Sequence, residues 1–265
     1  MEKTKKVISF LKRNWLFFLI VLILAFLRTF NLYQTTMFLS DQGRDAIIIR
    51  DIVTFKHFPA IGAPTSIGQV YLGPFYYYLI SPFLLIFNFN PVGLSYGVAI
   101  LSILSLIWIF FLIKKEINEI VAWFFLIGAG FSKIIIDQSR YSWNPNLLPY
   151  FAFLTLYFFN KLQKERKIIF AVLLGSFLSF SIQLHYLAVL ILLPILLYGT
   201  YDFFNLNRKW RLTYFYHYLI AVFFFFFFSL PLLIFDLRHN FLNSKNFLKL
   251  FSEQNLVGYQ SKTAL

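Results

Sequence analysis

Pro74-Phe75-Tyr76-Tyr77-Tyr78-Leu79-Ile80-Ser81-Pro82-Phe83-Leu84-Leu85-Ile86-Phe87-Asn88-Phe89 decides the fold, because this apolar run either crosses a bilayer or dips in and returns. If it crosses, Lys114 and Lys115 fall outside with Lys161, Lys164, Arg166 and Lys167, opposite the basic N-terminus. If it returns, all four basic clusters, including Arg208, Lys209 and Arg211, share the cytoplasmic side. The positive-inside bias selects the second arrangement. About 16 residues is also short of the roughly 20 that a crossing helix needs, and a tyrosine-rich start suits the membrane interface.

The surrounding chain is equally apolar. It is 59% hydrophobic and 13% charged, with 37 phenylalanines, and its mean hydropathy is +0.70. These values point to an integral membrane protein. In a soluble chain the net charge of +13 would suggest nucleic acid. Here the basic residues cluster between apolar runs, so the charge is read as topology and no nucleic-acid partner is expected. The absence of cysteine excludes disulfides and thiolate metal sites.

Lys3, Lys5, Lys6, Lys12 and Arg13 precede the first apolar run with no small-residue cleavage pattern, which reads as a retained signal anchor with the N-terminus in the cytoplasm. Arg28, near the outer end of that run, is expected to snorkel to the interface. Residues 45–57 read as an amphipathic surface helix: Ile48, Ile49, Ile52, Val53 and Phe55 share one arc, with Ile47 the exception. A turn-rich stretch, 59–73, leads into the opening run. Expected crossings are 15–32, 93–113, 119–136, 146–160, 168–183, 186–203 and 214–235. Together these make an all-α polytopic bundle of about seven membrane helices, with an outer amphipathic helix and a re-entrant segment. The chain reads as a single module, and the polar tail 236–265, with no further span, as the point where a longer protein is cut.

That topology gathers unusual polar residues at the outer ends of different helices. They are Asp41, Arg44 and Asp45, then Asp137, Arg140, Trp143, Asn144 and Asn146, then Gln183 and His185, then Asp236, Arg238 and His239. Ionisable groups at membrane depth are costly, and their convergence on one face is the functional signal. Each also has a plainer reading. Ser40 and Asp41 are good caps for a helix starting near Gly43; the stretch 137–140 reads as a solvated loop and Trp143 as an interfacial anchor. His185 reads equally as a core histidine satisfied by Gln183. Four scattered histidines lack metal-ligand spacing. No phosphate-cradling loop, dinucleotide fingerprint or serine-esterase elbow is present.

Asp41-Gln42-Gly43-Arg44-Asp45, Gly73-Pro74-Phe75-Tyr76-Tyr77-Tyr78-Leu79, Ser139-Arg140-Tyr141-Ser142-Trp143-Asn144-Pro145-Asn146 and Gln183-Leu184-His185 resemble, in order and spacing, the membrane glycosyltransferases of family 39. These are the protein mannosyltransferase and aminoarabinose transferase relatives with the GT-C fold. The resemblance runs from the first span to Asp236-Leu237-Arg238-His239-Asn240-Phe241. It implies sugar transfer from a polyprenyl-phosphate donor on the outer side of the plasma membrane, with inversion, and a catalytic aspartate at the position of Asp41. Substrate-binding candidates are Arg44, Asp45, Asp137, Arg140, Asn144, His185 and Arg238. No cofactor is implied beyond the lipid-phosphate sugar itself; a divalent metal is left open, and the acceptor is unspecified. Family members often have Asp-Glu where this chain has Asp41-Gln42, so Gln42→Glu is expected to be tolerated. Independently of the family, such a transfer needs a carboxylate base and cations for the leaving phosphate, with Arg44, Arg140 and Arg238 as candidates. A transporter or flippase would show inverted repeats and midplane charges. A non-catalytic subunit would not need acidic turns and arginines on one face.

Overall fold

The computed structural model describes residues 14–65 and 70–252, and these are helical almost throughout. The only extended pairing among them is an isolated bridge between Pro64 and Tyr71. The basic N-terminal cluster and the end of the tail lie outside the described residues. Besides a single helical turn at Leu32–Thr35, the helices are α1 Trp15–Thr29, α2 Ser40–Val53, α3 Phe75–Ile86, α4 Val92–Glu116, α5 Glu119–Gly130, α6 Lys133–Ser139, α7 Leu148–Glu165, α8 Ile168–Leu184, α9 Leu192–Asn205, α10 Arg208–Arg238 and α11 Leu242–Ser252. Tighter 3-10 turns, Asn144–Leu147 and Tyr186–Ile191, lead into α7 and α9.

Val92–Glu116, Tyr186–Asn205 and Trp210–Arg238 are long and apolar enough to cross a bilayer, and α5 with α6 makes a fourth if that pair, bent by 63°, is one span. Length and apolarity thus support three or four crossings and do not establish seven. The protein is an all-helical integral membrane protein. At 1.5 Å per residue, the 12-residue α3 is only about 18 Å long, too short to cross a core of roughly 30 Å alone.

One expected crossing, 119–136, is broken at Phe131 and Ser132. Gly128, Gly130 and Ser132 are poor helix formers there. Arg28 meets this break, and its expected snorkelling does not occur. It is 0% exposed. Its guanidinium donates to Gly130 O at 3.0 Å, Leu24 O at 3.3 Å and Ser102 Oγ at 3.4 Å. A carbonyl at the helix break, a carbonyl of its own helix and the Ser102 hydroxyl replace water as its partners.

The helix expected over 45–57 begins at Ser40 and ends at Val53. Ala46, Ile49 and Ile52 are buried and Ile47 is 56% exposed, as the periodicity requires. Phe55 departs from that face. It has left the helix with φ 57° and is exposed.

One core cluster surrounds α4, joining Leu24, Ile49, Tyr77, Ile80, Val98 and Leu126. A second joins α7, α8, α9 and α10 through Phe158, Leu162, Leu174, Ile195 and Ala221. The backbones of α8 and α10 nearly touch: a Cβ on Gly175 would lie 2.0 Å from Ala221 O. The polar tail forms α11 over Leu242–Ser252. Asp236 Oδ1 accepts from Asn243 N at 2.7 Å, and Ser244 Oγ donates to Asp236 Oδ2. Asn243 then grips the 59–73 stretch at Tyr71, accepting from its N–H at 2.6 Å and donating to its carbonyl at 3.1 Å.

Candidate functional site

Asp41 lies in the first turn of α2, but neither it nor Ser40 caps the helix. Leu39 occupies the cap position, and Gln42 closes the turn by accepting from Leu39 N at 2.9 Å. The other end of the Gln42 amide donates to Ser142 O at 3.0 Å, which joins α2 to the 139–146 segment. Asp41 is thereby left unburied, with a side-chain exposure of 52%.

Arg44 links two carboxylates of different character. Its Nη1 donates to Asp41 Oδ1 at 2.9 Å, while Nε and Nη2 converge on Asp45 Oδ1 at 2.9 and 2.8 Å. Tyr77 Oη donates to the same oxygen at 3.0 Å. Asp45 is 1% exposed, and its Oδ2 is buried without a hydrogen-bond partner. Burial pushes the Asp45 carboxyl above the usual range, against the Arg44 guanidinium that pulls it down. Asp45 therefore fixes Arg44 from below, and Asp41 is the carboxylate that reaches open space.

That space is a small cleft of about 70 Å³, walled by Asp41 and Arg44, by Pro64 and Leu72 of the turn-rich stretch, and by Trp143, Asn144, His185 and Tyr186. Four expected residues, Asp41, Arg44, Asn144 and His185, are thus brought together, and Asp45 stands directly behind. Asn144 is buried and donates to Leu184 O at 2.6 Å, holding its turn against the end of α8. His185 is not satisfied by Gln183. Its Nδ1 accepts from Leu187 N at 3.2 Å and its ring stacks on Tyr186. Burial lowers its pKa, so the ring is neutral with the proton on Nε2. Gln183 instead accepts from Phe75 N at 3.2 Å and donates to Ser179 Oγ and Phe228 O.

Three expected residues stay away from the cleft. Asp137 is exposed and paired with Lys133 at 2.5 Å on α6, as an ordinary solvated ion pair. Arg140 donates to Leu27 O at 2.7 Å, Phe30 O at 2.8 Å and Thr35 Oγ1 at 2.6 Å. It closes the carbonyl end of α1, where a cation is favoured. Arg238 is exposed at the end of α10 and does not line the cleft. Arg140 and Arg238 thus do not line the cleft with Asp41, and among the lining residues the cation is Arg44. Asp236, also expected on this face, is occupied in holding the start of α11. Among the described residues, no three His, Asp or Glu side chains group as metal ligands.

The cleft adjoins a larger groove of about 390 Å³, with Leu72 and Tyr186 common to both walls. Ile182, Phe225, Phe226 and Leu232 make that groove mostly apolar. Sequence reasoning missed the groove, and it missed Tyr77 as the partner of Asp45. The Gly73-Pro74 start of the opening run was a signal for the first: a Cβ on Gly73 would meet the Gln183 side chain at 2.3 Å, so glycine is what lets this turn close against α8.

Residues 72–235, more than half of the chain, match the family described as dolichyl-phosphate-mannose-protein mannosyltransferase. The segment 40–45 precedes the matched region. No curated protein and no solved structure matches.

Proposed function

Because the chain belongs to the dolichyl-phosphate-mannose-protein mannosyltransferase family of membrane glycosyltransferases, we propose that it moves a sugar from a polyprenyl-phosphate donor to an acceptor on the outer face of the plasma membrane, with Asp41 as the base. The observation that supports this reading is the wall the two spaces share. A polar cleft holding a half-exposed carboxylate and an arginine lies against an apolar groove, with Leu72 and Tyr186 lining both. A sugar phosphate on an isoprenoid tail has that same division of chemistry.

In the proposed step an Asp41 oxygen takes the acceptor's proton, and the acceptor heteroatom bonds to the anomeric carbon. The bond from that carbon to the phosphate oxygen breaks with inversion, releasing the polyprenyl phosphate. Arg44 is the group suited to the departing charge, held in place by Asp45 and Tyr77. His185, neutral with a proton on Nε2, and Asn144 line the same cleft. The groove would take the first isoprenoid units.

The test is transfer from a polyprenyl-phosphate sugar in membranes, using the full protein at matched levels. Asp41→Asn keeps size and polarity but cannot accept a proton at neutral pH. The expected loss is on the order of 10² to 10⁴ in rate with donor binding retained. Near-normal transfer would sink Asp41 as the base.

A further inference from the structure

At the end of α10 remote from Asp41, α9 and α10 part around a separate cavity of about 240 Å³, lined by Leu196, Gly199, Thr200, Phe203, Tyr214 and Tyr218 among others. Its walls are hydrocarbon and ring faces, because the two tyrosine hydroxyls are already engaged. Tyr214 Oη lies 3.1 Å from Tyr218 Oη and donates to Gly199 O at 3.2 Å, and Gln163 Nε2 donates to Tyr218 Oη at 2.7 Å. The cavity is open sideways, where Leu196, Phe204 and Phe215 are 58%, 70% and 52% exposed.

Its rim is cationic. Arg211 donates through Nη2 to Phe204 O at 2.7 Å and through Nε to Leu206 O at 2.9 Å, and its guanidinium lies 5.9 Å from the Phe203 ring. Closing the carbonyl end of α9 is the plain role of these bonds. They also fix a guanidinium at the cavity mouth, and it makes no ion pair among the described residues. Arg166, likewise without an ion pair there, sits 5.1 Å from the ring of the adjacent Trp210. Lys161 and Lys167 nearby are neutralised by Glu116 and Glu165.

We propose that this cavity seats one acyl chain of an anionic phospholipid whose phosphate is held by Arg211, with Arg166 beside it. Hydrocarbon walls select a chain and uncompensated cations at the rim select a negative headgroup, at about fivefold per cation. Asp202, a neighbour of Tyr214 with one carboxylate oxygen buried and unpartnered, opposes an anion here. The site is independent of the donor groove, which lies at the other end of α10.

The test is retention of lipid by the full protein after equilibration in micelles containing equal phosphatidylglycerol and phosphatidylcholine, with bound lipid counted by native mass spectrometry. Phosphatidylglycerol should be retained in preference. Arg211→Gln should cut that preference about fivefold, Arg211→Lys should keep most of it, and Asp202→Asn should raise it. Leu196→Trp and Thr200→Phe, both at exposed positions, put a ring into the cavity without altering charge and should remove the bound lipid. Equal retention of the two lipids by the unsubstituted protein would overturn the proposal. So would sensitivity to Arg211→Gln combined with indifference to both cavity-filling changes, since that describes a headgroup adsorbed with no seated chain.

Discussion

α4 and the apolar stretch of α10 have nearly the same mean hydropathy, 2.5 and 2.6, yet half of the α4 window is buried in protein and only 6% of the α10 window. Side-chain size accounts for the difference. α4 offers Gly93, Ser95, Gly97, Ala99 and Ser102, small enough for α1, α3 and α5 to close around it. α10 offers six consecutive phenylalanines, 223–228, whose rings largely pack on one another. Apolar content tells that a helix avoids water, whereas small residues tell whether its neighbour is protein or lipid.

The largest effect should come from breaking the place where α10 does touch protein. Gly175→Ala puts a methyl 2.0 Å from Ala221 O, and backbone cannot give way as a side-chain tip can. The cost should reach or exceed the top of the roughly 1–3 kcal/mol range for overpacking. Thermal unfolding of the solubilised protein checks this, with Gly128→Ala as control, where the new methyl meets nothing within 4 Å. Equal midpoints for the two variants would mean that α10 is not seated on Gly175.

The enclosed half should also answer to hydrogen bonding. Gln42 is 5% exposed and uses both ends of its amide. Gln42→Glu replaces the donor to Ser142 O with a carboxylate oxygen, so its expected tolerance is withdrawn; the loss should be roughly 1–3 kcal/mol at neutral pH. A buried carboxyl has a folded-state pKa above its unfolded value, so the variant's pH-dependent deficit should be absent below about 4.3, grow as pH rises from there to the folded value, and level off above it. Unfolding midpoints across pH read this directly, and a deficit independent of pH would contradict it.

Smaller effects sharpen the same contrast. Phe110→Leu on α4, at 2% exposure, should cost about 1 kcal/mol or more, while Phe223→Leu on α10, at 61%, should stay within about 0.5 kcal/mol. Comparable losses in melting temperature would show that the 223–228 run is covered by protein.

What could be read from the chain follows the same division. Periodicity places Ile49 and Ile52 inward and Ile47 outward, because helix geometry alone sets those directions. Composition gives a membrane protein and short range gives the Asp41–Arg44–Asp45 cluster, whose members are within one helical turn or little more. Arg28 and Arg140 are the failures. Both look like residues with a task in water or on a phosphate, and both bond to main-chain carbonyls of segments distant in sequence. A carbonyl left open by a helix end has no residue type of its own, so nothing in the sequence announces it. Tyr77 was visible in its motif, but its bond to Asp45 depends on how α3 lies against α2.

The grip of Asn243 on Tyr71 joins residues 172 apart. Asn243 and Ser244 also form part of the groove wall. During synthesis at about 5–20 residues per second, the ribosome would spend roughly ten seconds or more between these two positions. For that interval the groove lacks its α11 wall, and a nascent chain halted before α11 would leave it open on that side. α11 therefore acts in time as well as in space: it sets the moment at which this side of the groove can first close.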